Sequence, residues 1–214
     1  MYPAWFTILK NHIKSGGMRL NMKKFTVKTI VLCAMFAALC CATAPISIPL
    51  PGGVPVTLQT AAVFLTALLL GPLYGFVAVL VYVLLGAVGL PVFAGFSGGF
   101  GSLIGLSGGF IMSWPFAALL AGFIYFKFGR NEKGVKKYVV MFIAMLLGSV
   151  VIYVVGLTQF ILLSKMSVSA AILACMVPFI PGDLLKIVLV AILVPTLEKA
   201  LKTIYTSEAA SANA

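Results

Sequence analysis

The sequence has very few acidic residues and only one histidine, and these shortages exclude most kinds of catalytic site. Its 214 residues include only four Asp and Glu together. Asp183 is the only aspartate, so the chain lacks the aspartate pair of an intramembrane protease. The only histidine, His12, lies in the N-terminal segment, which leaves no arrangement for a catalytic triad. No pair of carboxylates is placed to hold a metal for phosphoryl transfer, so the sequence predicts a protein that is not an enzyme.

Cysteine chemistry and nucleotide hydrolysis are also unsupported by the sequence. The chain has no CxxC motif, and all of its cysteines lie inside apolar runs: Cys33, Cys40, Cys41 and Cys175. This placement favours small buried side chains over a metal site or a disulfide. A P-loop, with the pattern GxxxxGKS or GxxxxGKT, is missing, so the chain is not expected to hydrolyse ATP itself. We expect neither a metal nor a cofactor.

What the sequence has in abundance is apolar surface. Hydrophobic residues make up 62% of the chain and charged residues 9%, a balance that a soluble domain could not bury. The formal net charge is +11, but the basic residues flank apolar runs. This pattern indicates contact with anionic lipid and the positive-inside rule rather than nucleic acid. The composition therefore predicts a multi-pass integral membrane protein of the all-α class.

The apolar runs predict six transmembrane helices, because a span needs about 20 apolar residues. "GPLYG" separates the second and third runs, since Gly-Pro is a turn signal. "SVSAAILACMVPF", before the sixth run, is too short to span and predicts an interfacial or re-entrant helix. The six predicted spans cover residues 27–44, 57–70, 73–90, 107–126, 138–163 and 183–201.

Charge predicts the orientation of these spans. Basic residues cluster before the first span and again in the 127–137 loop, so both segments should be cytoplasmic, with an even number of spans between them. Both termini are then cytoplasmic, in a protein of the cell membrane. The connections 45–56, 91–106 and 164–182 fall on the outer face. The chain is predicted to have three parts. Residues 1–26 form a basic N-terminal extension or interfacial tail, residues 27–203 form the six-helix membrane domain, and residues 204–214 form a polar tail.

The candidate site centres on two charged residues at the start of the sixth span. Asp183 and Lys186 share one face of a helix at i and i+3, and charges within a span usually face a cavity. The alternative, compatible with binding, makes Asp183 the N-cap of that helix. In "PVTLQ", Thr57 can cap the second span and Gln59 can place its amide in the bundle. The alternative there is only a capped, interfacial helix start.

Small residues form two further patterns in the sequence. "SGGF" occurs twice, and Gly101, Gly105 and Gly109 follow at intervals of four, which is typical of close helix packing. Alanines also repeat every four residues on the first span, at Ala34, Ala38 and Ala42. They make a smooth stripe that another helix can approach closely.

Four segments give the chain a resemblance to a known family. "IPLPGGVPVTLQT", "GPLYGF", "YVLLGAVGLPVFAG" and "PFIPGDLLK" resemble the BioY family, the biotin-capture subunits of energy-coupling-factor (ECF) transporters. The resemblance covers about residues 28–200. It implies a six-helix fold with a ligand pocket near the outer face, biotin as ligand, and Asp183 and Lys186 as ligand residues. It also implies that Ala34 and Ala38 dock a transmembrane coupling subunit. "GLSGGF" departs from the family's more frequent GPTGGY, so Phe110 supplies no tyrosine hydroxyl.

The resemblance implies a transport function that the residues can support. Asp183 can accept from the ureido N–H groups of biotin, and Lys186 can donate to the ureido carbonyl. Apolar walls for the rest of the ligand are expected among the aromatic residues, with Tyr82 and Phe93 favoured over Phe96, Phe100 and Phe179. Lys165 or backbone N–H groups are candidates for the biotin carboxylate. A coupling subunit and two ATPases would drive uptake.

Other functions remain as alternatives at this point. One is a capture subunit for another vitamin; others are a lipid-modifying membrane enzyme and a structural scaffold. The missing ATP site and catalytic cluster favour a transporter subunit over an enzyme. A scaffold would not need Asp183 and Lys186 in the membrane.

Overall fold

The computed structural model describes residues 27–48 and 53–211, with side chains described up to residue 200. The predictions for residues 1–26, including His12 and the N-terminal tail, therefore lie outside the described residues. Eight α-helices and one small hairpin are described: α1 Val27–Thr43, β1 Ser47–Ile48, β2 Val56–Thr57, α2 Gln59–Leu70, α3 Pro72–Ala87, α4 Phe100–Ile104, α5 Gly108–Ile124, α6 Gly134–Ser164, α7 Val168–Cys175 and α8 Ile180–Ser211. Short 3₁₀ turns cover Ala94–Phe96 and Val177–Phe179, and a π-helical turn, Tyr125–Gly129, continues α5.

Helix α2 lies at the centre of the bundle. It packs against α1, α3, α5 and α8, and ten of its twelve residues are buried. Besides α2, helix α5 packs against α3 and α6. Helix α8 packs against α2 and α6. A helix that is apolar all round belongs in such a central position. The antiparallel strands β1 and β2 pair Ser47 with Thr57 just before α2, and this hairpin was not predicted from the sequence.

The helices differ in whether their length is sufficient to cross a membrane. Within the described residues, three stretches are long and apolar enough: Gly108–Gly129, Gly134–Ser164 and Val168–Ala200. Three further apolar helices are shorter: Val27–Thr43, Gln59–Leu70 and Pro72–Ala87. Helix α2 is only about 18 Å long at 1.5 Å per residue, against a hydrocarbon core of about 30 Å. The structure thus supports a membrane protein with mostly helical architecture.

The predicted break between the second and third runs is confirmed. Helix α2 ends at Leu70 and α3 begins at Pro72, with Gly71 between them at φ +87°. The positive φ favours glycine here, and a Cβ on Gly71 would also lie 2.7 Å from Cε1 of Phe126, so the Phe126 ring would have to shift to admit a side chain. Proline is suited to the first turn of the next helix because its missing N–H has no partner to lose there.

Close packing through glycine is confirmed for Gly109 and is wrong for Gly101. A Cβ on Gly109 would lie 2.8 Å from the carbonyl oxygen of Val155 and 3.1 Å from Cα of Gly156, so α5 and α6 approach closely there. A Cβ on Gly101 would meet nothing within 4 Å. The glycine spacing alone did not show which members of the repeat face a second helix.

Both predicted helix caps are wrong. Helix α8 begins at Ile180, so Asp183 lies in its first turn instead of preceding it. Pro181 fits that first turn without losing a hydrogen bond, which lets the helix start before Gly182. The cap position of α2 is Leu58, without a side-chain hydrogen bond, because Thr57 is paired in the hairpin. The predicted short helix before the sixth span is present as α7, where the Ser167 side chain accepts from Ala170 N at 3.3 Å.

A polar cluster around Glu198 joins three helices near the C-terminal end of the apolar part of α8. Glu198 accepts hydrogen bonds from the Tyr125 hydroxyl at 2.9 Å and from Lys137 Nζ at 2.6 Å. The Lys137 and Glu198 side chains are only 15% and 21% exposed. Burial lowers the pKa of nearby Arg130, and the negative charge of Glu198 opposes that shift. The cluster thus fixes α5, α6 and α8 to one another.

Glu198→Gln is expected to destabilise the fold by about 1.5–3 kcal/mol, because it removes a charged acceptor and leaves Lys137 buried without its carboxylate. Thermal unfolding in detergent measures the change. Glu132→Gln is the matched control, since the Glu132–Lys136 pair is 36% and 69% exposed and should contribute only about 0–1 kcal/mol. Equal shifts for the two variants would contradict a stabilising role for the cluster.

Candidate ligand-binding site

A cavity of about 250 Å³ lies where the three glycine- and proline-rich connections meet the starts of α2, α5 and α8. Segments predicted to converge on one side of the protein therefore do come together. The cavity is lined by Gly53, Val54, Pro55, Thr57, Gln59, Thr60, Phe93, Ala94, Ser97, Ser107, Phe110, Ile111, Trp114, Ser149, Ile152, Tyr153, Phe179, Asp183 and Lys186.

The cavity lies at the opposite end of the helix bundle from the Glu198 cluster. Helices α6 and α8 are antiparallel, because Tyr153 contacts Asp183 whereas Lys137 contacts Glu198. Along α8 the two polar contacts are about 22 Å apart at 1.5 Å per residue. The basic 127–137 loop belongs to the Glu198 end, and the connections that line the cavity belong to the other.

An acid–base pair is the main polar feature of the cavity wall. Lys186 Nζ lies 2.9 Å from Asp183 Oδ1, and their side chains are 8% and 21% exposed. The Tyr153 hydroxyl donates to the second carboxylate oxygen, Oδ2. These two contacts hold the carboxylate as an acceptor, and each oxygen keeps a further lone pair for a ligand donor. The ammonium group of Lys186 has three N–H bonds, so it can also donate to a ligand acceptor.

Gln59 lines the same cavity and is held in place by a buried hydrogen-bonded group. Its Nε2 donates to the Tyr82 hydroxyl and, at 3.4 Å, to the carbonyl oxygen of Val92. The Tyr82 hydroxyl donates to the same carbonyl at 3.0 Å. Gln59 and Thr57 line the cavity, whereas Tyr82 is fully buried behind them and does not. The structure thus places Tyr82 as a support for Gln59 instead of as a wall of the cavity.

Aromatic side chains form much of the apolar wall. Of the five aromatic residues that the sequence offers as candidates for this wall, Phe93 and Phe179 line the cavity. Phe96 and Phe100 are 66% and 67% exposed and lie outside the cavity. Phe110 lines the cavity without a hydroxyl, edge-on to Tyr153 with ring centroids 6.5 Å apart.

Four further side chains line the cavity that were not predicted from the sequence: Tyr153, Trp114, Thr60 and Ser149. Tyr153 interrupts an otherwise apolar run, "VVIYVVG", and a tyrosine buried in such a run usually finds a partner for its hydroxyl. That signal indicates a polar contact, but the sequence does not tell which residue supplies it. Lys165, a candidate for binding a carboxylate, ends α6 in a left-handed conformation and does not line the cavity.

The predicted docking residues lie on α1, away from the cavity. Ala34, Ala38 and Ala42 are exposed on one face, whereas Cys33, Ala37 and Cys40 face the core. The exposed alanines leave a smooth surface on the outside of the bundle. Cys175 is also buried and Cys41 is half-buried, as expected for cysteines in apolar runs.

Comparisons with known proteins agree on one family. A sequence profile described as the BioY family matches residues 18–203. A probable biotin transporter BioY from Pyrococcus horikoshii is 40% identical over 74% of this chain and 89% of its own length. The biotin transporter BioY from Thermotoga maritima is 38% identical over 81% of this chain and 97% of its own.

A solved structure shows the same architecture. The crystal structure of the S-component for biotin from an ECF-type ABC transporter superposes with a TM-score of 0.73 at 31% identity. The match covers 86% of this chain and 95% of that chain. The likeness therefore extends over nearly the whole of the solved protein.

Proposed function

The chain belongs to the BioY family, and on that basis we propose that it is the biotin-capture subunit of an ECF-type vitamin uptake transporter. Relatives named biotin transporters and the solved S-component for biotin support this function. Capture, not catalysis, is the activity of the chain, and biotin is its cargo and not a cofactor. ATP hydrolysis belongs to the partner subunits.

The acid–base pair in the cavity is the observation that carries the proposal. The ureido ring of biotin presents two N–H donors and one carbonyl acceptor. Asp183, held as an acceptor by Tyr153 and Lys186, can receive the N–H groups, and Lys186 can donate to the carbonyl. Hydrogen bonds with one ionised partner are about twice as strong as neutral ones. Gln59 and Thr57 add polar contacts, and Phe93 contributes an apolar surface for the thiophane ring.

The orientation in the membrane follows from charge. Six helices cross or enter the cell membrane, with both termini on the cytoplasmic side and the cavity near the outer face. Support comes from the basic 127–137 loop, which lies at the end of the bundle opposite the cavity. Basic loops remain cytoplasmic under the positive-inside rule. Biotin then enters from outside and leaves on the cytoplasmic side after the partners act.

The partners in this proposal are a transmembrane coupling subunit and two ATP-binding cassette ATPases. The exposed alanine face of α1 is the docking surface for the coupling subunit. Small side chains let a second helix approach closely, and in lipid that close packing stabilises association. Surrounding lipid covers the remaining apolar surface of the helices.

Ala34→Trp or Ala38→Trp is expected to weaken association with the coupling subunit by roughly five- to 150-fold, because a bulky side chain separates the packed helices. Biotin affinity should not change, since α1 lies outside the cavity wall. Co-purification from cells that express all subunits measures the effect. Val154→Trp, at a site 61% exposed on α6, is the control and should co-purify normally. Normal recovery of the alanine variants would refute this docking surface.

Ligand identification tests the proposed function against other vitamins. Mass spectrometry of small molecules that co-purify with the protein should find biotin. The unfolding temperature of the protein in detergent should rise when biotin is added and should not rise when unrelated vitamins are added. If a different vitamin co-purifies with the protein and stabilises it, the protein is still a capture subunit, but the assignment of biotin as its ligand is wrong.

A further inference from the structure

An apolar groove lies on the outside of the bundle between α6 and α8. Its volume is about 290 Å³, and the surface that lines it is apolar. Ile187 is buried at its floor, whereas Val139 and Val188 are about half exposed at its rims. None of the groove residues lines the cavity that contains Asp183. The six residues that line the groove are Tyr138, Val139, Phe142, Ile187, Val188 and Ala191.

Polar contacts fix the two helices on either side of the groove. Tyr153 contacts Asp183 and Lys137 contacts Glu198, and on both helices the groove residues lie between these two contacts. Both walls belong to stretches that are long and apolar enough to cross a membrane. Within the hydrocarbon core a polar molecule would lose its hydrogen bonds in such a space, so the groove is suited to a hydrocarbon chain.

Basic residues cluster next to the Tyr138 end of the groove. Residues 127–137 directly precede Tyr138 and contain five basic residues and only one acidic residue. Glu198 adds one negative charge from α8, which still leaves an excess of positive charge at this end. Along α6, Lys136 and Lys133 lie about 3 and 8 Å before Tyr138, at 1.5 Å per residue. Lys133 is exposed, and the exposed ion pair of Lys136 holds that side chain only weakly.

A ligand that fits both features has a hydrocarbon chain and a negatively charged headgroup. Basic sites between transmembrane helices on the cytoplasmic side bind the headgroups of anionic lipids in this way. A tyrosine such as Tyr138, at the end of a span, is typical of the level at which headgroups meet the hydrocarbon.

We propose that the groove binds one anionic phospholipid, with an acyl chain between α6 and α8 and the headgroup phosphate at Lys133 and Lys136. The lipid contacts both helices and therefore stabilises their pairing. The site is independent of the biotin function, and only its assignment to the cytoplasmic leaflet uses the orientation proposed above.

Native mass spectrometry of the full chain in detergent tests the site, with phosphatidylglycerol or phosphatidylcholine of the same acyl chains added. The wild-type protein should retain one phosphatidylglycerol at least about tenfold more tightly than phosphatidylcholine, because each lysine near a headgroup contributes about fivefold. Phosphatidylglycerol should also raise the unfolding temperature more than phosphatidylcholine does. Equal retention of the two lipids would overturn the proposal.

Lys133→Gln should weaken retention of phosphatidylglycerol about fivefold and leave phosphatidylcholine unaffected. Lys165→Gln is the matched control, because it removes the same charge from the opposite end of α6, outside the groove. This control should retain phosphatidylglycerol as the wild-type protein does. Wild-type retention in Lys133→Gln, or an equal loss in Lys165→Gln, would contradict the headgroup site.

Val139→Trp should weaken retention of both lipids at least about fivefold, because the indole ring overpacks the space of the acyl chain. Val150→Trp is its control and should have no effect. Val150 lies about three turns further along the same face of α6, is 50% exposed against 48% for Val139, and lines neither the groove nor the cavity. Undiminished retention in Val139→Trp would overturn the groove as the site. Biotin titration of each variant checks its fold, so a failure of the lipid site is distinguished from a failure of the biotin function.

Discussion

Asp183→Asn is expected to weaken biotin binding by roughly ten- to 150-fold, equivalent to about 1.5–3 kcal/mol. The substitution keeps the size of the side chain and removes the charge that makes its hydrogen bonds strong. It also leaves the ammonium of Lys186, 8% exposed, beside a neutral amide. An amide N–H group would face the ureido N–H donors of biotin, so one contact becomes repulsive.

Titration of biotin into the purified variant in detergent measures this loss. Glu198→Gln is the matched control, because it makes the same change of charge on the same helix about 22 Å from Asp183. It should lower the unfolding temperature and leave biotin affinity unchanged. If Asp183→Asn binds biotin as tightly as the wild-type protein, Asp183 does not belong to the binding site.

Gly108→Ala is expected to destabilise the fold by about 1–3 kcal/mol or more, as overpacking of a filled interior does. A Cβ on Gly108 would lie 1.7 Å from the carbonyl oxygen of Leu103, which is backbone and cannot rotate away. The same carbonyl accepts from Gln159 Nε2 at 2.8 Å. The substitution would therefore push α4 from α5 and disturb the contact of both with α6.

Thermal unfolding in detergent measures this effect against Gly101→Ala. Gly101 belongs to the same glycine-rich segment, but a Cβ there meets nothing within 4 Å. Alanine favours a helix over glycine by about 1 kcal/mol, so this control should be neutral or slightly more stable. If both variants lose similar stability, the contact with Leu103 is not the cause of the loss in Gly108→Ala.

Residue patterns predicted the helices and the charged part of the site. Apolar runs and the Gly-Pro signal located the helices and the break at Gly71, because burial in lipid and backbone conformation depend on local sequence. Charges inside a span are rare, so the presence of Asp183 and Lys186 in an apolar run was enough to indicate a cavity. The structure places both in its wall, together with Gln59 and Thr57.

The parts that sequence reasoning missed depend on contacts between distant segments. Tyr153 reaches Asp183 across 30 residues of chain, and nothing in either segment specifies the other. Phe93 is buried whereas Phe96 is exposed, because a tight turn with Phe96 at φ +56° separates them. The cap at Asp183 was wrong because Pro181 allows α8 to begin earlier. A two-residue strand such as Val56–Thr57 is too short to show a period.

Titration of biotin into the purified wild-type chain is the decisive test of whether this cavity binds biotin. We expect saturable binding of one biotin per chain in detergent, without any partner subunit, because this chain supplies both charged groups and aromatic side chains of the cavity wall. We also expect excess biotin to raise the unfolding temperature, since a ligand that binds only the folded state stabilises it. No heat of binding and no thermal shift at saturating biotin would contradict the assignment of this cavity as a biotin site.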